Sequence, residues 1–108
     1  MKKSIIFTVL TALLLVGNFL VLSAGISWQK MELSTDEYFT HTFFSTSGNG
    51  WIVSYTGGIY KTQNHGLTWQ KQQSGTSKAL TCVYFTDPSN GWITGDSGLI
   101  LTTSTGGE

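Results

Sequence analysis

Gly50-Trp51-Ile52-Val53-Ser54-Tyr55-Thr56-Gly57-Gly58-Ile59-Tyr60-Lys61-Thr62 returns 41 positions later as Gly91-Trp92-Ile93-Thr94-Gly95-Asp96-Ser97-Gly98-Leu99-Ile100-Leu101-Thr102-Thr103. The same offset holds without a gap on both sides. Trp28-Gln29-Lys30 falls on Trp69-Gln70-Lys71, Thr40 on Thr81, Phe44 on Phe85, Asn49 on Asn90 and Gly66 on Gly107. Of the 40 pairs from Trp28–Leu67 against Trp69–Glu108, 14 are identical, and all four Trp belong to the pattern. An internal repeat of this period is the sequence signature of a stacked repeat architecture, in which no single unit can bury its own apolar face.

Within each unit the pattern is that of short strands divided by turns. Tyr38–Ser45 and Ala79–Thr86 are rich in β-branched and aromatic residues, which suit a pleated, half-buried surface. Asn49-Gly50 and Asn90-Gly91 supply turn residues, and the GWIVSY and GWITG segments then form a second strand in each unit. Gly57-Gly58 and Ser97-Gly98 turn the chain into a third, Ile59–Thr62 and Leu99–Thr103. After the loop Gln63-Asn64-His65-Gly66 a fourth is expected over Leu67–Gln70. Four short antiparallel strands in about 40 residues is the content of a β-propeller blade. The expected fold is therefore all-β, with about two four-stranded antiparallel blades, 28–68 and 69–108, forming an incomplete propeller within residues 26–108. Large residues recurring at one period are expected to pack between blades, which nominates Trp28, Phe44, Trp51, Phe85 and Trp92 as inter-blade core rather than as a sugar-stacking platform.

Upstream of the repeat, Lys2 and Lys3 precede an uncharged apolar run from Ile5 to Leu22, which ends at the small residues Ser23-Ala24-Gly25. Residues 1–25 thus have the layout of a secretory signal peptide, or of an uncleaved membrane anchor. Export to a periplasmic, extracellular or membrane-anchored location follows, with membrane contact only through that segment. Beyond Gly25 the charges are four Lys against six acidic residues, a net of 4 − 6 = −2. That balance lacks the electrostatic footprint of a nucleic-acid binder. Cys82 is the single cysteine, so no internal disulfide can form, and it is expected to be a small buried apolar residue.

The stretch Thr62-Gln63-Asn64-His65-Gly66-Leu67-Thr68-Trp69 resembles the Asp-box (BNR) motif, Ser/Thr-x-Asp-x-Gly-x-Thr-Trp, with Asn64 at the usual Asp position. A second copy keeps Thr103 and Gly107, with Thr105 at the Asp position. Together with Phe85, Asp87, Gly91-Trp92, Gly95, Gly98 and Ile100, and with Phe44, Gly50-Trp51, Gly57 and Ile59 in the first unit, the pattern is similar to the repeats of the photosystem II stability/assembly factor family of propellers. The resemblance implies that Thr62, Asn64, Gly66, Thr68, Trp69, Thr103 and Gly107 are structural residues of peripheral loops. It also implies a scaffold for assembling membrane complexes. Physical chemistry points the same way, since a short polar side chain in a tight loop accepts backbone hydrogen bonds while Gly supplies the unusual φ.

Asp-boxes also occur in sialidases, but those resemble one another in an Arg cluster that clasps the substrate carboxylate bidentately. This chain has no Arg. Gly95-Asp96-Ser97-Gly98 matches a serine-protease string, yet its repeat counterpart Ser54-Tyr55-Thr56-Gly57 marks it as a hairpin turn, and neither His41 nor His65 sits in a triad frame. His41, His65 and Cys82 lack zinc-ligand spacing. His41 and Cys82 are equivalent repeat positions, expected in similar surroundings, and Asp36-Glu37 is expected in a solvated loop. The expectation is a non-enzyme with no catalytic residues, no cofactor and no metal, serving as an exported binding or assembly scaffold for protein partners. Alternatives are the N-terminal piece of an exported sialidase-like glycoside hydrolase, or a cell-surface adhesion repeat protein. Two units cannot close a propeller ring. The chain is thus expected to be part of a longer protein, or to need further blades or self-association to cover its sheet edges.

Overall fold

The structure is a computed structural model and describes residues 27–108. The expected signal or anchor segment lies outside the described residues. Met31–Glu108 form one compact unit. Ser27–Lys30, the described part of the other unit, contain no strand.

The unit is all-β. β1 (Phe39–Phe44), β2 (Gly50–Ser54), β3 (Ile59–Thr62) and β4 (Gln70–Gln72) make a four-stranded sheet in sequential order, and β5 (Leu80–Phe85), β6 (Gly91–Gly95) and β7 (Leu99–Thr103) make a three-stranded one. Every neighbouring pair is antiparallel. β5 and β6 reproduce the bounds of β1 and β2 shifted by the 41-residue repeat. Even the irregularity in pairing recurs, between Phe39 and His41 in one sheet and between Leu80 and Cys82 in the other. Equal residues at equal spacing have made equal backbone.

Two details differ from the sequence reading. The positive φ of the first turn falls on Gly48 (φ 87), not on Asn49-Gly50, because Gly50 already pairs in β2. The fourth strand begins at Gln70 rather than Leu67. Residues 67–69 are held in the turn, where Asn64 takes the Thr68 N–H and the Trp69 indole donates to the Gly66 carbonyl.

The two sheets pack face to face. Side chains alternate across a strand, so Phe43, Trp51, Val53 and Ile59 lie on one face of the first sheet. Leu80, Val83, Phe85 and Ile93 line the facing side of the second. At the centre the Trp51 and Phe85 rings stack at 3.5 Å between centroids and 8° between planes. Trp51, Val53 and Leu80 are fully buried. Hydrogen bonds stitch the rim of this contact. Trp51 Nε1 donates to the Gly106 carbonyl (3.2 Å), Gln72 Nε2 to the same oxygen (3.1 Å), and Val83 N–H to His41 Nδ1 (3.2 Å). Lys61, nearly buried, ends on Glu108 at 2.8 Å, so its charge is compensated where water is scarce.

Candidate interaction surface

The Asp-box-like loop is a closed hydrogen-bonding device. Thr62 is buried, and its hydroxyl oxygen accepts from Gly66 N–H (2.9 Å) and Asn64 N–H (3.3 Å) while its proton goes to Asn64 Oδ1 (2.9 Å). Asn64 Oδ1 also accepts from Thr68 N–H (2.9 Å), and Asn64 Nδ2 donates to Thr68 Oγ1 (2.8 Å). His65 (φ 63) and Gly66 (φ 90) make the left-handed turn this requires. In the second copy Thr103 accepts from Thr105 N–H (3.1 Å) and Gly107 N–H (2.9 Å), with Gly106 and Gly107 carrying the positive φ. In both loops these side chains are spent on their own backbone.

The five residues nominated for the core are placed differently from one another. Trp51 and Phe85 form the stacked centre. Phe44 is 45% exposed and meets Trp69 edge-on (5.9 Å), on the face of the first sheet turned away from the second. Trp92 is 44% exposed on the outer face of the second sheet. Trp28 is 99% exposed, in a stretch that contains no strand. Phe44 and Trp92 share one feature. Each occupies the equivalent of a buried residue, but on a sheet face that nothing covers among the described residues.

Three smaller expectations also change. Cys82 is exposed on that same outer face, opposite Thr94, rather than buried. Its repeat counterpart His41 instead touches the other sheet through Val83, so the two do not share surroundings. Glu37 is not a solvated loop acid. Ser54 Oγ donates to its Oε1, and Tyr60 (2.7 Å), Lys71 (2.9 Å) and Thr56 (3.0 Å) complete the ring of partners. Ser54 above all, with Tyr60, Lys71 and Thr56, lowers the Glu37 pKa from the usual 4.5 to about 2 against an opposing effect of burial.

Sequence reasoning missed a pair of exposed tyrosines. Tyr38 is 78% and Tyr55 61% exposed, and their backbones are joined by Tyr55 N–H to the Tyr38 carbonyl at 2.8 Å. Asp96 N–H makes the same bond to Ala79, their repeat counterparts. The fold is thus satisfied at this corner without an aromatic residue. Large amphipathic rings kept in water where the architecture does not ask for them are what protein interfaces use. The comparison of repeat partners, Tyr38 with Ala79 and Tyr55 with Asp96, was the signal that could have found them. A cleft of about 230 Å³ also opens between the sheets, lined by Trp51, Gln72, Phe85, Leu101 and Gly107 among others. Among the described residues no group of three or more His, Cys, Asp or Glu is placed to hold a metal ion.

Tandem antiparallel sheets, each carrying a Thr-anchored loop of this kind after its third strand, define a BNR-type repeat protein. The family described as photosynthesis system II assembly factor YCF48 matches residues 21–108, and the chain belongs to it. Comparison with curated proteins and with solved structures gives no match.

Proposed function

We propose that this chain is an exported, non-catalytic scaffold whose two sheets are blades of a β-propeller and whose rigid surface holds protein partners during assembly of a membrane complex. Family membership supports the assembly role. The lysine-led apolar pattern of residues 1–25 supports export and, if retained, a membrane tether. The observation that carries the scaffold reading is the Tyr38–Tyr55 corner: two solvated rings in non-repeated positions on a backbone rigidified by the Glu37 cluster. A preorganised aromatic anchor is the kind of group that dominates protein–protein affinity.

The test is a photo-activatable crosslinker placed at position 55 in the full chain, expressed in its own host. Covalent adducts with subunits of a membrane complex, lost on Tyr38→Ser, support the reading. Adducts absent altogether, or unchanged by Tyr38→Ser, would count against this corner as the partner site.

A further inference from the structure

β5 begins the second sheet and pairs on one side with β6. Backbone groups on its other side need partners too, because a buried polar group left unpaired is costly. Two side chains of β1, in the first sheet, supply them. Thr40 Oγ1 donates to the Leu80 carbonyl, and His41 Nδ1 accepts the Val83 N–H at 3.2 Å. Val83 is 1% exposed, so water is a poor substitute for the imidazole at that amide. His41 itself is exposed, and its ring exchanges protons with solvent. A buried amide of one sheet thus depends on a solvent-reached base of the other.

The two bonds respond differently to acid. An imidazole that accepts at Nδ1 is neutral and carries its proton on Nε2. Protonation puts a hydrogen on Nδ1 as well, so that a donor and a positive charge face the Val83 N–H. The Thr40 hydroxyl donates whatever the pH. Histidine is not demanded by the strand at this position: the repeat counterpart is Cys82, and β5 keeps the bounds of β1 with a thiol there. What the imidazole adds to the contact between sheets is a response to protons.

We infer that His41 is a pH-sensitive latch between the two sheets, which holds β5 against β1 when neutral and releases that rim when protonated. Histidine is the side chain whose charge ordinarily changes between about pH 5 and 8. The bond needs the neutral ring, so it is present on the alkaline side of that range and lost as the pH falls. The elements packed on His41 offer few other titratable groups. β2 has none, and β5 has Cys82, which is exposed, and Tyr84, whose ring lies against Phe43 at 5.1 Å. Glu37, near the end of β2, is held at about 2 by Ser54 and its other partners, so it stays ionised throughout. Release is local, because the Trp51–Phe85 stack and the apolar core around it contain nothing that titrates. The rim opens while the centre stays packed, a sub-global opening of the kind hydrogen exchange detects. The latch stands independent of what the Tyr38–Tyr55 corner holds.

The test follows the Val83 amide by hydrogen exchange in the ¹⁵N-labelled full-length chain in mild detergent, at about pH 7.5 and about pH 5.5, corrected for the intrinsic pH dependence of exchange. Protection of Val83 should fall about tenfold on acidification, while the amides of β6 keep theirs. His41→Asn places an acceptor that does not titrate, Oδ1, where Nδ1 stands, and should abolish the fall. His65→Asn, a change to the other histidine, should leave it in place. At the higher pH the His41 ring nitrogen shifts should report the proton on Nε2. Equal protection of Val83 at both pH values, a fall that persists in His41→Asn, or a neutral ring protonated on Nδ1 would overturn the inference.

Discussion

Thr62 and Thr103 stand at the same repeat position and do the same job under different burial. Thr62 is 1% exposed and its hydroxyl serves three loop groups, whereas Thr103 is only partly buried and its loop lacks the amide that Asn64 contributes. Leaving a buried backbone N–H unsatisfied costs about 1–3 kcal/mol. Thr62→Ala should therefore lower the unfolding free energy by about 2 kcal/mol in a urea titration, and Thr103→Ala by clearly less. Thr62→Ser should be close to neutral, since the oxygen stays. Glu37 permits a pH prediction at the same scale. Its folded pKa, about 2, lies below the ordinary 4.5, so its ionised form is favoured by folding. That contribution is complete above about pH 4.5 and is lost as the pH falls toward 2. Thermal midpoints of the unaltered chain should drop through this window more steeply than those of Glu37→Gln, which starts lower at neutral pH because Ser54, Tyr60 and Lys71 lose their anionic acceptor.

At the level of the elements, each hairpin depends on an aromatic ring lying over the glycine that begins its second strand. A Cβ built on Gly50 would sit 2.5 Å from the Phe44 ring, and one on Gly91 2.6 Å from the Phe85 ring. The two sites differ in what surrounds the ring. Phe44 faces solvent on one side and can swing away, but Phe85 is clamped against Trp51. Gly91→Ala should cost about 1–3 kcal/mol, the usual range for overpacking a filled core, and Gly50→Ala less, both measured by denaturant unfolding. The turns of the two hairpins also differ. Asp87 caps the second by accepting from Ser89 and Asn90 N–H groups, whereas the first bends at Gly48. One repeat position thus reaches the same strand geometry by two chemistries.

In the molecule as a whole, the Trp51–Phe85 stack joins two sheets that could not each bury a face alone. Removing the indole leaves a cavity at the only fully buried Trp among the described residues and takes from the Gly106 carbonyl one of its two donors, leaving Gln72 Nε2. Trp51→Ala is expected to cost about 3–5 kcal/mol and to unfold both sheets in one transition, followed by circular dichroism. A surviving second sheet with the first one melted would show that the units are energetically independent.

The repeat, the all-β class and the bounds of six of the seven strands were legible in the residues, because alternating apolar positions and turn residues act locally and recur at one period. The family was legible for the same reason, through Gly91-Trp92, Gly98, Ile100 and Thr103. The fates of Trp51 and Trp92 were not. They share a motif, a strand position and a pairing register, yet one is sealed and the other half in water. Nothing local separates them. Burial belongs to the contact between sheets, and among the described residues only the first sheet has a neighbour on that face. Glu37 shows the same limit, since its partners Ser54, Tyr60 and Lys71 lie 17 to 34 residues away and meet it only when β2, β3 and β4 align. The sequence by itself determined the unit and its strands. Tertiary structure decided which copies of the repeated residues became core and which were left as surface, because desolvation depends on what packs opposite, not on the residue that is packed.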